Sequence, residues 1–313
     1  MLQIAQNTKG GRVERTERFY TLAMFFAMLL WALSWPCSKI LTHQAHPYLI
    51  ALMRFSLVWA CILPLMIVFR ISFRLSRAQF VLVCVAGVCN ALYSLLFFQG
   101  LAFGDAGRAG VITTTLSPIF GSLLSMLFGG VYVSAREKLG LILGLISGIF
   151  LLHIEDFSSL LNPFNLFFVG AAFAWTLVTL TSKRALLHPL QFNCYVSFVS
   201  ALLFVPYLVL GEGIGASLAE ADSVFWACFL VVSVLSVVVA TSIFYKGIEV
   251  LGVHKGGSFL LLVPVFALVL SFFMLDETPD VRTLIGCALA IGAIYMLGIY
   301  RDSHLRWLKG LLR

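Results

Sequence analysis

The chain has 313 residues, of which 61% are apolar and 11% are charged, and its formal net charge is +7. Soluble domains average about 45–50% apolar and about 25% charged residues, and a larger core cannot absorb the difference in a chain of this size. Most of the chain is therefore expected to lie in lipid. The composition excludes a disordered chain, a secreted disulfide scaffold and a nucleic-acid-binding protein, because each needs a polar surface.

Apolar windows long enough to cross a bilayer recur along the whole sequence. A transmembrane helix needs about 20 mostly apolar residues, and no window shows the alternation of an outer-membrane strand. The sequence predicts an all-α integral membrane protein with ten transmembrane helices. In chain order these are 19–40, 47–69, 80–103, 109–133, 135–153, 164–182, 192–210, 224–245, 258–275 and 282–300.

The charges predict the orientation of these helices. Residues 1–18 contain both signs of charge, and the apolar run after them is too long for a signal peptide, so the first helix is expected to stay as an anchor. If both termini are cytoplasmic, only Lys39, Arg108 and Arg282 of the basic residues lie outside, and Arg54 lies within the second span. This asymmetry follows the positive-inside rule and predicts a multi-pass protein of the inner membrane with cytoplasmic termini.

The prolines and glycines reveal an internal repeat. The spacing from Pro47 to Pro64 recurs from Pro189 to Pro206. Pro118 matches Pro264 at an offset that also matches two glycines of the first half with two of the second. Each half has five spans, an odd number, so the second half enters the membrane from the opposite side. The prediction is two inverted five-helix repeats around a central cavity, a construction common in secondary transporters. The expected divisions are a cytoplasmic segment 1–18, repeats at 19–153 and 164–300, and a basic cytoplasmic tail 301–313.

Several motifs carry a resemblance to a known family. Trp31 to Trp35 read WALSW, Arg54 and Phe55 lie in the second span, and the fourth and ninth spans contain SPIF and VPVF. Together with the five-plus-five arrangement, they resemble the EamA-domain branch of the drug/metabolite transporter superfamily over nearly the whole chain. The resemblance implies a ten-helix transporter whose cavity is lined by spans one, three, four, six, eight and nine. Leu275-Asp276-Glu277 approximates the acidic motif of the family, but the first half has Gly130-Val131 at that position.

Polar and aromatic side chains within the spans are the candidate site, because polar groups in hydrocarbon usually face the bundle interior. Helical spacing places several of them on shared faces, as for Trp31, Ser34 and Trp35. Hydroxyls bonded to their own helix and aromatic anchors at the interface are the alternative reading. The predicted cavity residues are Trp31, Ser34, Trp35, Asn90, Tyr93, Thr114, Ser117, Trp175, Thr179, Ser242 and Tyr245.

Charged residues and prolines add further candidates. Lys39 and Lys183 either reach headgroups or bind an anion, and Arg54 either clamps helices or contacts a ligand, because a charge at that depth needs a partner. Pro118 and Pro264 remove helical hydrogen bonds and are candidate hinges, with static kinks as the alternative. The glycine ridge at 140, 144 and 148 predicts close helix contact, within a monomer rather than between two copies of a dimer.

Motifs that are missing from the sequence constrain the mechanism. No acid or histidine lies near the middle of a span, and no motif for nucleotide binding or hydrolysis is present, so no enzyme activity is expected. The seven cysteines lie within spans without metal-ligand spacing; neither a cofactor nor a metal is expected. The predicted function is alternating-access transport of a small polar or amphipathic metabolite with an aromatic or cationic portion, such as an amino acid or a nucleoside-like compound, with export favoured. The alternatives are a carrier of phosphorylated anions that uses Lys39, Arg54 and Lys183, and a channel or membrane scaffold.

Overall fold

The computed structural model describes residues 2–129, 135–155, 161–210 and 221–299, and these residues are helical with short connections and no strand. The basic tail 301–313 and the predicted span ends at Val133 and Tyr300 lie outside the described residues. The helices are α1 (Leu2–Gln44), α2 (Pro47–Val68), α3 (Arg77–Gly100), α4 (Ala106–Gly129), α5 (Ala135–Leu151), α6 (Pro163–Ala185), α7 (Pro189–Phe204), α8 (Ser223–Leu230, continued through Val231–Ala240 and Thr241–Ser258), α9 (Leu262–Leu275) and α10 (Val281–Ile294, continued through Tyr295–Ile299).

The ends of the helices follow local sequence chemistry. Ser76 and Gln79 form a capping box at α3, and Asp280 accepts a hydrogen bond from the backbone N–H of Thr283 at α10. Proline is the first residue of α2, α6 and α7, where its missing N–H costs nothing. α1 begins at Leu2, so the segment predicted as a cytoplasmic extension continues the first helix.

α8 differs from the sequence-based expectation in its length and in its backbone conformation. The predicted span ends at residue 245, but the helical path continues to Ser258 and includes a π-helical segment, Val231–Ala240. Gly252 interrupts this path with φ 83° and ψ 156°, a conformation open essentially to glycine alone. The chain therefore turns at Gly252 and reaches α9 through a 3₁₀ turn, Phe259–Leu261.

Seven described helices are long and apolar enough to cross a membrane, and a shorter apolar helix covers Val281–Leu297. The seven are Thr16–Gln44, Pro47–Val68, Arg77–Phe103, Pro163–Ala185, Pro189–Leu208, Ser223–Gly252 and Lys255–Leu275. Large apolar side chains such as Phe19, Phe80 and Phe273 remain exposed on the helix surfaces. Lipid is the solvent that accommodates such a surface, so the chain is a multi-pass membrane protein.

The helices of the two halves pack against each other. α2 lies on α7, α3 on α6 and α7, α4 on α6 and α9, and α5 on α10, while α1 contacts α8 and α9. Glycines allow the closest approaches: a Cβ at Gly140 would meet Met296, and a Cβ at Gly144 would collide with Ile119. The glycine ridge of α5 thus packs within the chain, against α10 and α4.

Candidate functional site

One end of the bundle is closed by a polar network, which we call the acidic end. Asp276 ends α9 in the left-handed conformation, with φ 54°, and turns the chain so that Glu277 faces the start of α4. The Glu277 carboxylate accepts hydrogen bonds from the backbone N–H groups of Ala106 (2.9 Å) and Gly107 (3.0 Å) and from Lys39 Nζ (2.7 Å). A carboxylate from the second half thereby caps a helix of the first, where the free N–H groups favour negative charge.

The Lys39 ammonium group bonds to two acceptors at this end. Its ammonium group donates to the Gly104 carbonyl (3.0 Å) as well as to Glu277, and its side chain is only 19% exposed. Lys39 therefore forms an ion pair within the protein, in place of the lipid headgroup contact that its sequence position suggested.

A second chain of contacts lies beside the first at the acidic end. Arg108 donates to His153 Nδ1 (2.8 Å), and His153 Nε2 lies 3.3 Å from Asp280. Because an arginine side chain has only donors, the His153 nitrogen that faces Arg108 accepts this hydrogen bond, and the other ring nitrogen faces Asp280. Although burial opposes it, hydrogen bonds from Thr283 hold the pKa of Asp280 below its usual value.

At the opposite end of the bundle, two glutamine side chains bond to backbone carbonyls of neighbouring elements. Gln79 donates to the Ala185 carbonyl (3.1 Å), and Gln191 donates to the Arg74 carbonyl (3.0 Å). Lys183 lies exposed in the last turn of α6. Although Lys39 and Lys183 correspond in the internal repeat, their surroundings differ.

The interior holds a cluster of aromatic rings from both halves. The Trp35 ring lies 5.0 Å from Phe97, Phe97 lies 5.7 Å from Tyr93, and Tyr93 lies 5.1 Å from Trp175. Gly110 allows the Trp35 indole to approach α4 closely, because a Cβ there would lie 3.0 Å from the indole ring. Three of the predicted cavity residues, one each from α1, α3 and α6, are thus brought into one cluster.

Arg54 projects from α2 toward this cluster. Its guanidinium carbon lies 5.8 Å from the ring centre of Phe55 and 6.0 Å from that of Phe98, and the Phe98 ring lies 5.0 Å from Phe97 of the cluster. Its Nε is buried and has no hydrogen-bond partner among the described residues. Lys39, by contrast, has both a carboxylate and a carbonyl as acceptors.

Trp31 marks a second contact between the halves. Its indole Nε1 donates to the Ser236 carbonyl (2.9 Å), which lies in the π-helical segment of α8, and its ring lies 5.0 Å from Phe244. A π-helix changes the backbone hydrogen-bond register and frequently occurs at functional sites. The amino-acid sequence does not predict this segment, because a run of valines carries no signal that separates a π-helix from an α-helix.

Several predicted cavity residues are engaged in helix packing. Asn90 is buried and donates to Ser200 Oγ (3.0 Å), which donates to the Gly87 carbonyl (2.9 Å), so this side chain joins α3 to α7. Ser117 lies 3.2 Å from the hydroxyl of Thr176 and joins α4 to α6. The hydroxyls that donate to carbonyls of their own helix are those of Ser34, Thr114, Thr179 and Ser242.

The remaining predicted residues have distinct surroundings. Trp175 and Tyr245 are 42% and 45% exposed. Pro118 lies inside α4, where it interrupts the helical hydrogen bonds, whereas Pro264 lies in the first turn of α9.

Over the part of the chain that the structure describes, no three His, Cys, Asp or Glu side chains are grouped as metal ligands would be.

The apolar helices, the exposed apolar surface and the contacts between the two halves define a multi-pass helical membrane protein. The EamA-like transporter family model matches residues 18–153 and 163–299, and the chain belongs to this family. The protein is therefore a member of a transporter family whose domain occurs twice in the chain.

Relatives extend over nearly the full length. An uncharacterized transporter, YetK of Bacillus subtilis (strain 168), is 22% identical over 303 residues, which cover 94% of this chain and 91% of the relative. An uncharacterized transporter of Archaeoglobus fulgidus is 22% identical, with 88% of this chain and 96% of the relative covered. A solved crystal structure shares the fold, with a TM-score of 0.61 and 18% identity over 89% of this chain and 96% of that one.

Proposed function

We propose that the protein is a secondary transporter that moves a small polar or amphipathic metabolite across the inner membrane by alternating access. The observation that carries the proposal is the acidic end, where Lys39, Glu277 and the start of α4 join the two halves. A carrier needs such a closure at one end, made of contacts that can break while the halves remain folded.

Ten transmembrane helices in two inverted repeats, with both termini cytoplasmic, form part of this proposal. The helix packing supports it: if α1 corresponds to α6 and α4 to α9, the contact of α1 with α9 has its counterpart in that of α6 with α4. In the same way, the contact of α3 with α6 corresponds to that of α8 with α1. Inverted repeats place a substrate site at the interface between the halves.

The proposed substrate site is the interior between the halves, around the aromatic contacts of Trp35, Tyr93 and Trp175 and those of Trp31 with Phe244. Aromatic faces suit a ligand with an apolar or ring-shaped portion. An amino acid or a nucleoside-like compound fits this description, and export is favoured by analogy with the family alone. A carrier that binds phosphate with Lys39, Arg54 and Lys183 together has less support, because Lys39 is paired with Glu277 and Lys183 is exposed.

Counterflow in proteoliposomes tests the proposal. Metabolite profiling of cells with and without the protein first supplies candidate substrates. Vesicles with purified protein are then loaded with a candidate, and uptake of the labelled compound is measured. We expect saturable uptake that internal substrate accelerates. Ohmic, non-saturating conductance would identify a channel, and failure of every profiled compound to exchange would favour a membrane scaffold. Empty vesicles are the control.

A further inference from the structure

Arg54 is a cation within the membrane-spanning bundle without a counter-ion among the described residues. It lies seven residues into α2, about 10 Å from the start of the helix. A charge within a transmembrane helix is costly, so a partner is expected. The structure supplies aromatic faces near the guanidinium, but Nε has no acceptor.

This arrangement differs from that of a structural clamp. A clamp would direct the guanidinium to a carboxylate or to carbonyls at a helix end, as Lys39 is directed to Glu277 and Gly104. Arg54 makes no hydrogen bond to another described residue. The residue as a whole is only partly buried, although its Nε is buried without an acceptor among the described residues.

The groups around Arg54 define the chemistry of that ligand. A guanidinium has only donors, in a planar arrangement that matches the two oxygens of a carboxylate. The Phe98 ring beside Arg54 lies 5.0 Å from Phe97, which lies 5.7 Å from Tyr93, and the Tyr93 hydroxyl can donate a further hydrogen bond. Beyond it, the Tyr93 and Trp175 rings, 5.1 Å apart, present apolar faces. A cationic ligand is disfavoured, because it would bring two positive charges together in a medium of low polarity.

We propose that Arg54 binds the carboxylate of the transported compound, and that the substrate class is small organic carboxylates with an apolar or aromatic body lying against Tyr93 and Trp175. This inference rests on the proposed function and narrows its substrate class. It favours amino acids and other carboxylates over nucleosides, which have no negative charge.

Thermal unfolding of the full-length protein in detergent tests the inference with three ligands of one skeleton: phenylacetate, phenylacetamide and phenethylamine. We expect phenylacetate to raise the Tm of the wild type in a saturable way, and the neutral and cationic analogues to have little effect. Arg54→Met should abolish the shift. Because Arg54 has no counter-ion among the described residues, the Tm of ligand-free Arg54→Met should equal or exceed that of the wild type, whereas a clamp predicts a fall.

The matched control is Arg108→Met, because Arg108 also lies over an aromatic ring, 4.3 Å from Phe164, but outside the proposed site. It should retain the shift with phenylacetate. Equal shifts with all three ligands, no shift with any of them, or a shift with phenylacetate that persists in Arg54→Met would overturn the inference.

Counterflow separates failure of this inference from failure of the proposed function. Saturable exchange of amines or amides that is unaffected by Arg54→Met would overturn the inference and leave the carrier function intact. Carboxylate binding lost in Arg54→Met, together with ohmic conductance in place of exchange, would support the binding site and contradict the carrier.

Discussion

Glu277 is the side chain on which the acidic end depends most. It is 9% exposed and accepts hydrogen bonds from an ammonium group and two backbone N–H groups, in contacts that span 171 and 238 residues of sequence. Removing one partner of a buried ion pair leaves the other charge uncompensated, which costs more than the pair itself contributes.

Glu277→Gln should therefore destabilise the protein by about 3 kcal/mol, since it leaves Lys39 without a counter-ion. Thermal unfolding in detergent measures the change. Glu155→Gln is the control: Glu155 is 67% exposed in its pair with Arg282, and pairs of that kind contribute about 0–1 kcal/mol. Equal effects of the two substitutions would show that the acidic end is not held by Glu277.

Asn90 shows how a polar residue in the middle of a span can serve packing. Its amide donates to Ser200, which in turn donates to the Gly87 carbonyl. Asn90→Ala should lower the free energy of unfolding by about 1–2 kcal/mol, because the Ser200 hydroxyl loses a partner. The matched control is Thr179→Ala, which removes a hydroxyl bonded within its own helix. If the Asn90→Ala protein were stable but impaired in transport, Asn90 would belong to the substrate site and would not serve packing alone.

The sequence predicts the site only in part, for a physical reason. Helical spacing identifies which residues share a face, as for Trp31 and Trp35, and depth identifies Arg54 as a charge that needs a partner. Spacing within one helix does not predict which neighbouring helix a face meets. The contact of Asn90 with Ser200 and the capping of α4 by Glu277 arise only from tertiary packing.

At the scale of whole helices, several boundaries follow hydropathy, but α1 extends to Leu2 beyond its apolar run and α8 departs from a regular α-helix. α2 and α6 begin and end within three residues of their predicted bounds, because apolar length and N-terminal prolines both have sequence signals. The bounds of α8 differ from the predicted ones, because its π-helical segment and the turn at Gly252 depend on backbone geometry. Hydropathy alone places Gly252 in a loop between two spans.

Gly252→Ala tests the turn that separates the eighth and ninth spans. No atom lies within 4 Å of a Cβ at this position, so any cost arises from the backbone, which has φ 83°. Such conformations cost about 1–3 kcal/mol for residues other than glycine. The control is Gly257→Ala, which also has open space but lies in ordinary helical backbone, where alanine should be neutral or stabilising. Similar unfolding temperatures for both variants would contradict the role of Gly252.

At the scale of the whole molecule, the two halves are joined unequally at the two ends of the bundle. Glu277 joins them at the acidic end, whereas the first half has Gly130-Val131 at the corresponding place in sequence, outside the described residues. Lys183, the counterpart of Lys39, accordingly has no acid at the matching sequence position. Alternating access then requires that the acidic end open during each cycle.

A reversible disulfide across the acidic end tests this requirement directly. A Cβ at Gly107 would lie 3.1 Å from that of Ser271, close to the separation of a disulfide, so Gly107→Cys with Ser271→Cys should join α4 to α9 after small shifts. We expect the oxidised double variant to lose counterflow and to regain it on reduction, because a closed acidic end prevents exchange between the two sides. Each single variant, treated with the same oxidant, controls for the seven native cysteines. Undiminished counterflow in a fully cross-linked protein would mean that substrate passes without opening this end, and the alternating-access mechanism would be wrong.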